Sequence, residues 1–255
     1  MVKIDLDGAR ATITIDDPER RNPITAATVD DLIRLTVEAN SHPEVRVIVY
    51  TGAGDQAFSA GGDLSSGFFD DPIGLHRERG RLAELFRTMW EGEKPTVARV
   101  NGHALAGGFG LAVACDITVC VEDARLGTPE IGVGLWPMMI TVPLLRAISP
   151  KTLFELMATG RVLTPDEALR LGAVSRVVTR SNLDAAVDEV VASLARHSPA
   201  TLALGRRAFG AVGGMSPLAA LDFLQAGLTS LTLTDDAREG LLAFSEKRDP
   251  TWTAR

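Results

Sequence analysis

Apolar residues recur at every second position at the start of the chain: Val2, Ile4 and Leu6, then Ala11, Ile13 and Ile15. The two runs flank Asp7-Gly8, a favoured hairpin dipeptide, so two antiparallel strands are predicted. After a loop over 16–23, Thr25 is placed to cap a helix running to about residue 40, with Val29, Leu32, Ile33, Thr36 and Val37 on one stripe. Residues 45–50 predict a strand buried on both faces. A glycine-rich loop over 52–63 and a helix over 74–90 follow. Next come a strand over 96–100, a small-residue loop over 101–110, a short apolar helix to Ala114 and a strand over 117–121. Strand, glycine loop and helix have then occurred twice, which marks a parallel sheet with ligand chemistry at its strand ends.

Beyond Pro143 the helical period dominates. Thr164-Pro165 and Asp166-Glu167 open one helix, with Pro at its first position and acids in its first turn. A strand is predicted over 173–178. From Leu183 four helices are expected, separated at Ser198-Pro199, Gly213-Gly214 and Thr234. Such a tail cannot hide every apolar stripe on itself, so subunit contacts are expected.

Composition narrows the class. With 255 residues and 45 % apolar content, one sizeable α/β domain plus an appendage is expected. A net charge of −7 speaks against nucleic acid as a partner, because neutralising phosphates takes a surplus of Lys and Arg. Cys115 and Cys120 are too few for a disulfide framework and lack nearby histidines for a zinc site, so reduced core thiols are expected. No apolar run approaches the roughly 18 residues needed to span a bilayer, and residues 1–5 carry neither a signal nor a transit pattern. The expectation is a cytoplasmic protein of small-molecule metabolism, without membrane partners.

Three segments carry candidate chemistry. In Ala57-Phe58-Ser59-Ala60-Gly61-Gly62-Asp63-Leu64, small residues after a buried strand let a ligand approach the backbone and aim successive N–H groups at one point, though a tight turn fits equally. The loop 101–110 opens a helix, so its free N–H groups favour negative charge, and two such loops could share one oxyanion. Glu130 lies in Thr128-Pro129-Glu130-Ile131-Gly132-Val133-Gly134, an apolar setting that would desolvate a carboxylate and raise its pKa; a capping or solvated glutamate fits as well. His103 fits a packing residue better than a catalyst, Asp116 a structural hydrogen bond, and Asp70 and Asp71 a mobile surface loop. Gly108-Phe109-Gly110 loosely mimics a dinucleotide fingerprint, but the third glycine and the ribose-holding acid are missing.

Taken together, residues 57–64, 100–117 and 128–134, with Phe244-Ser245-Glu246-Lys247-Arg248-Asp249-Pro250, resemble the enoyl-CoA hydratase/isomerase (crotonase) superfamily over essentially the whole chain. The resemblance implies an α/β fold, a crotonase-like spiral of ββα units over 1–195 with the acyl-CoA site. It implies a C-terminal helical trimerisation region over 196–255, giving a homotrimer or a dimer of trimers. The N–H groups of Ala60 and Gly107 would hold a thioester enolate, and Glu130 would move protons. Coenzyme A would lie along Arg20, Arg21, Ala60, Gly61, Gly62, Asp63, Gly107 and Gly108, with Phe244 and Lys247 reaching it from the same or a neighbouring subunit. Trp136 would line the acyl pocket or serve the core. No metal and no cofactor beyond the coenzyme A thioester substrate are implied.

One departure bears on the reaction. Typical hydratases of the family carry a second glutamate where this chain has Gly110. Hydration is most easily shared by two groups, whereas one carboxylate suffices to carry a proton from C2 to C4. The expected activity is therefore isomerisation of 3-enoyl-CoA to 2-enoyl-CoA. The alternatives are a hydratase working with one glutamate and a catalytically silent acyl-CoA-binding homologue.

Overall fold

The computed structural model describes residues 1–63 and 72–253. Asp70 and Asp71 lie outside the described residues. Strands β1 (Val2–Asp7) and β2 (Arg10–Ile15) form the expected antiparallel hairpin, Val2 opposite Ile15 and Asp7 opposite Arg10. Helix α1 (Ala26–Ser41) starts where Thr25 Oγ1 accepts the Thr28 N–H at 3.1 Å. The order continues with β3 (Val47–Gly52), β4 (Ala57–Ser59), α2 (Pro72–Glu91), β5 (Thr96–Val100), β6 (His103–Leu105), α3 (Gly107–Ala114), β7 (Ile117–Val121), β8 (Leu126–Gly127) and α4 (Thr141–Ala147). Then come α5 (Pro150–Thr159), β9 (Val162–Leu163), α6 (Pro165–Arg170), β10 (Arg176–Val178), α7 (Leu183–Ala195), α8 (Pro199–Val212), α9 (Pro217–Thr232) and α10 (Asp235–Glu246).

Two sheets organise these elements. A six-stranded sheet runs β1-β2-β3-β5-β7-β10, parallel from β2 onward, and a four-stranded sheet runs β4-β6-β8-β9. Each of the units β3-β4-α2, β5-β6-α3 and β7-β8-α4 places its first strand in the large sheet and its second in the small one, which is the expected ββα spiral. All six residues of β3 are buried, as a strand covered on both faces requires. The small sheet is the part that periodicity misses. The segments 52–63 and 101–110, expected as loops, contain β4 and β6. Strands of two or three residues show no alternation to read. The strand expected over 173–178 is also shorter, because Ala173 and Val174 hydrogen-bond back to the Ala168 carbonyl at the end of α6.

The four C-terminal helices break where expected, with Ser198, Ser216 and Thr234 capping α8, α9 and α10. Arg206 anchors α8 to the body. Its Nε donates to Asp116 Oδ2 at 2.7 Å, and its terminal nitrogens donate to the carbonyls of Met89, Trp90 and Gly92 at the end of α2. The guanidinium thus meets a carboxylate and the negative end of a helix at once. Asp116 also accepts from Thr96 N and Oγ1, both at 2.8 Å, which is the structural role expected of it. Replacing Arg206 by Ala leaves these acceptors without their donor, with an expected loss on the order of 3 kcal/mol. Urea unfolding checks this: the midpoint should fall at unchanged slope, and an unmoved midpoint would show that α8 docks without the arginine.

Candidate active site

Parallel pairing of β4, β6 and β8 sets Ser59 opposite Ala104, Ala104 opposite Leu126, and Leu105 opposite Gly127. Neighbouring strands lie about 4.8 Å apart, so the segments leaving them at one end are brought side by side. Those segments are 60–63, 106–107 and 128–130, the three that carry candidate chemistry. Ala106 N–H donates to Gly127 O at 2.9 Å and locks the second segment to the third.

The contact between the first two segments is close. A Cβ on Gly61, at φ +94°, would lie 2.6 Å from Ala106 Cβ and 3.1 Å from Gly107 N. One on Gly108 would lie 2.4 Å from Ser59 O. These glycines are therefore steric requirements of the junction. Ala106 itself sits at φ 49°, ψ −126°, a conformation costly for any residue with a side chain. It turns the chain from β6 directly into α3, whose first N–H belongs to Gly107.

The donors of the first segment are not equivalent. Ala60 N–H donates to Arg21 O at 2.9 Å and Gly61 N–H to Ser59 Oγ at 3.1 Å. Among the described residues the N–H groups of Gly62 and Gly107 make no hydrogen bond, and a Cβ on Gly107 would lie 3.8 Å from Gly62 N. Ala60, the donor implied by resemblance, is thus already engaged, and the free N–H beside Gly107 is that of Gly62. The segment is clamped from outside: Ile24 N–H donates to Gly61 O at 2.8 Å, and Ile24 bridges Gly62. Behind it, fully buried Asn22 donates to Ala53 O at 3.0 Å and Ala57 O at 2.8 Å and accepts Asp17 N–H at 3.0 Å. Asn22 escaped the sequence reading. Its one signal is an Asn in the loop 16–23, a residue type that tolerates the left-handed φ of 56° found here.

Glu130 is half-buried in a 3₁₀ turn, Pro129–Val133, directly after β8. Its Oε2 is buried and has no hydrogen-bond partner among the described residues. Desolvation pushes the carboxyl above the ordinary range, opposed in part by its own backbone N–H. This is the environment expected from the apolar segment, and not that of a solvated glutamate. Trp136 follows, half-buried, with its ring centroid 5.9 Å from that of Phe154. His103 points to solvent.

Of the residues assigned to coenzyme A, Gly61, Gly62, Gly107 and Gly108 meet at the junction, and Ala60 and Asp63 flank the first pair along the chain. Arg20 forms an ion pair with Asp63 and a second with Asp17 at 3.5 Å. Arg21 is exposed, and its side chain has no charged partner among the described residues. Phe244, 84 % exposed, and Lys247 lie at the end of α10, which packs on α8 and α9. A cavity of about 1020 Å³ between α8 and the end of α2, lined by Trp90, Arg146, Arg206 and Phe209, contains none of the three segments. Among the described residues no group of three His, Cys, Asp or Glu could hold a metal ion, and no helix is long and apolar enough to cross a membrane.

Fold and site together define an α/β protein of spiralled ββα turns, with paired free backbone N–H groups and a desolvated carboxyl at the ends of one small sheet. Residues 7–255 match the enoyl-CoA hydratase/isomerase family. A putative enoyl-CoA hydratase of Thermus thermophilus is 35 % identical over 98 % of this chain and 99 % of its own length. Carnitinyl-CoA dehydratase of Shigella flexneri is 34 % identical over 98 % and 97 %. The crystal structure of enoyl-CoA hydratase from Bacillus anthracis superposes with a TM-score of 0.94 at 27 % identity, covering 100 % of this chain and 99 % of that one. That of enoyl-CoA hydratase from Mycobacterium smegmatis also scores 0.94, at 28 % identity over 98 % of both chains. The chain belongs to the enoyl-CoA hydratase/isomerase family, within the crotonase superfamily.

The raised carboxyl of Glu130 has a measurable consequence. Between the ordinary and the raised pKa the folded chain keeps a proton that the unfolded chain has lost, so this group's contribution to stability falls as pH rises through that window. Urea midpoints from about pH 4 to 8 should decline less for Glu130→Gln than for the parent. Parallel curves would show that the carboxyl titrates normally.

Proposed function

We propose that the protein isomerises 3-enoyl-CoA to 2-enoyl-CoA thioesters, with Gly62 and Gly107 holding the enolate oxygen and Glu130 carrying the proton. The buried Oε2 of Glu130, without a hydrogen-bond partner among the described residues, carries this reading, because a desolvated carboxylate is a stronger base. The carboxylate takes a proton from C2, and the C–H electron pair delocalises onto the thioester oxygen between the two N–H groups. The dienolate then accepts a proton from Glu130 at C4, leaving the double bond between C2 and C3. Donors fixed before reaction stabilise the charge with little reorganisation. The thioester is the substrate, and the step consumes no cofactor.

The coenzyme A phosphates are assigned to exposed Arg21 and to Lys247, with Arg20 oriented by Asp63 and Phe244 against the nucleotide. Trp136, linked to the Glu130 turn through Leu135 N–H to Glu130 O at 3.0 Å, walls the acyl end. We read residues 1–195 as the catalytic core and 196–255 as the region that assembles a homotrimer or a dimer of trimers. The support is α9, which buries no residue and exposes Leu218, Leu221 and Leu228. Buried free thiols at Cys115 and Cys120 support a reducing, cytoplasmic setting.

A second reading, hydration with Glu130 relaying both protons through water, is favoured by the names of the Thermus and Shigella relatives, a putative hydratase and a dehydratase. Incubation with 3-enoyl-CoA and, separately, 2-enoyl-CoA in D₂O separates the two. Isomerisation with deuterium at C2 or C4 supports the first, and net hydration of 2-enoyl-CoA the second. A folded protein that changes neither thioester is the silent binder. Glu130→Gln should lower turnover about a hundred- to ten-thousandfold, and full activity would remove Glu130 from the role of base. Gly62→Pro, which deletes one N–H, should lower turnover about a hundred- to a thousandfold, while Gly62→Ala, whose Cβ meets nothing within 4 Å, should keep most of it.

A further inference from the structure

We propose that Ile140 is the residue that confines this site to a single acid–base group. Gly110 lies three residues after Gly107 on α3, so the two share one helix face, and a side chain at 110 would lean toward the helix N-terminus, where the enolate donors are. That volume is taken. A Cβ on Gly110 would lie 2.1 Å from Ile140 Cγ2 and 2.4 Å from Ile140 Cβ. Rotation about the Cα–Cβ bond moves Cγ2 but leaves Cβ where it is, so no rotamer of the isoleucine clears the overlap. Ile140 cannot retreat easily either. It is 3 % exposed, its carbonyl accepts Leu144 N–H at 3.2 Å in the first turn of α4, and the next residue is tied back by Thr141 N–H to Pro137 O at 3.1 Å.

The glycine at 110 and the isoleucine at 140 therefore form one unit. The methyl groups stand where a second carboxylate would stand, and they remove the polar partners and the room that a water needs beside the reacting carbons. Glu130 then works against an apolar wall, which favours returning its proton to the substrate over adding water. This rests on the enolate reading above and adds to it the residue that selects between isomerisation and hydration.

The experiment combines a packing cycle with a product ratio. Gly110→Ala alone should lower Tm by about 5 °C or more, as overpacking does. In the Gly110→Ala/Ile140→Gly pair most of that loss should disappear relative to Ile140→Gly, because the nearest remaining atom of residue 140 is then its Cα, 3.4 Å from the added methyl. Additive Tm changes would overturn the packing unit. Ile140→Ala, assayed with both thioesters, should raise the ratio of hydration to isomerisation about tenfold. The Gly110→Glu/Ile140→Gly pair should raise it further, whereas Gly110→Glu alone should lose stability and both activities. An unchanged ratio in folded Ile140→Ala overturns the inference while leaving the enolate reading intact. A folded parent protein that neither isomerises 3-enoyl-CoA nor hydrates 2-enoyl-CoA overturns the enolate reading itself, whatever the Tm cycle gives.

Discussion

Parallel pairing among three very short strands, β4, β6 and β8, is the constraint on which the rest depends. Each strand contributes only two or three residues, so its own hydrogen bonds could not hold it. The large sheet and the ββα connections deliver the strands to one another, and the spacing of the small sheet then sets the spacing of the three segments that leave it. The free N–H groups of Gly62 and Gly107 and the carboxyl of Glu130 all lie within three residues of that edge.

Several unfavourable local terms are concentrated at this edge and are held there by the surrounding structure. Ala106 has a positive φ, Gly61 is in a left-handed conformation, Asn22 is buried in one, and Glu130 Oε2 lacks a partner among the described residues. Each would relax if free to do so. Asn22, the Ile24–Gly62 bridge and the Ala106–Gly127 bond prevent relaxation. The result is a backbone whose free N–H groups are held in place by the surrounding structure and a carboxyl partly withdrawn from water, the pre-organisation that the proposed enolate chemistry requires.

The hairpin, the buried strand β3, α1 and the breaks between the C-terminal helices were legible along the chain. Their signals are local: alternation, capping residues, and proline or glycine at the joints. The small sheet was not legible, because two- and three-residue strands inside glycine-rich segments carry no period. For the same reason the free N–H groups were not legible. Counting along Ala60-Gly61-Gly62 does not reveal that Ala60 N–H is engaged by the Arg21 carbonyl and Gly61 N–H by Ser59, since both partners depend on how the chain folds back.

Sequence alone was enough to determine the class of protein and the absence of an acid at 110, because residue identity is what those features consist of. Which N–H is free, and why position 110 is a glycine, were decided only by tertiary structure. Arg21 and Ile140 are 39 and 30 residues from the atoms they constrain, and hydrogen-bond occupation and steric volume are properties of proximity in space, which local patterns along a chain do not encode.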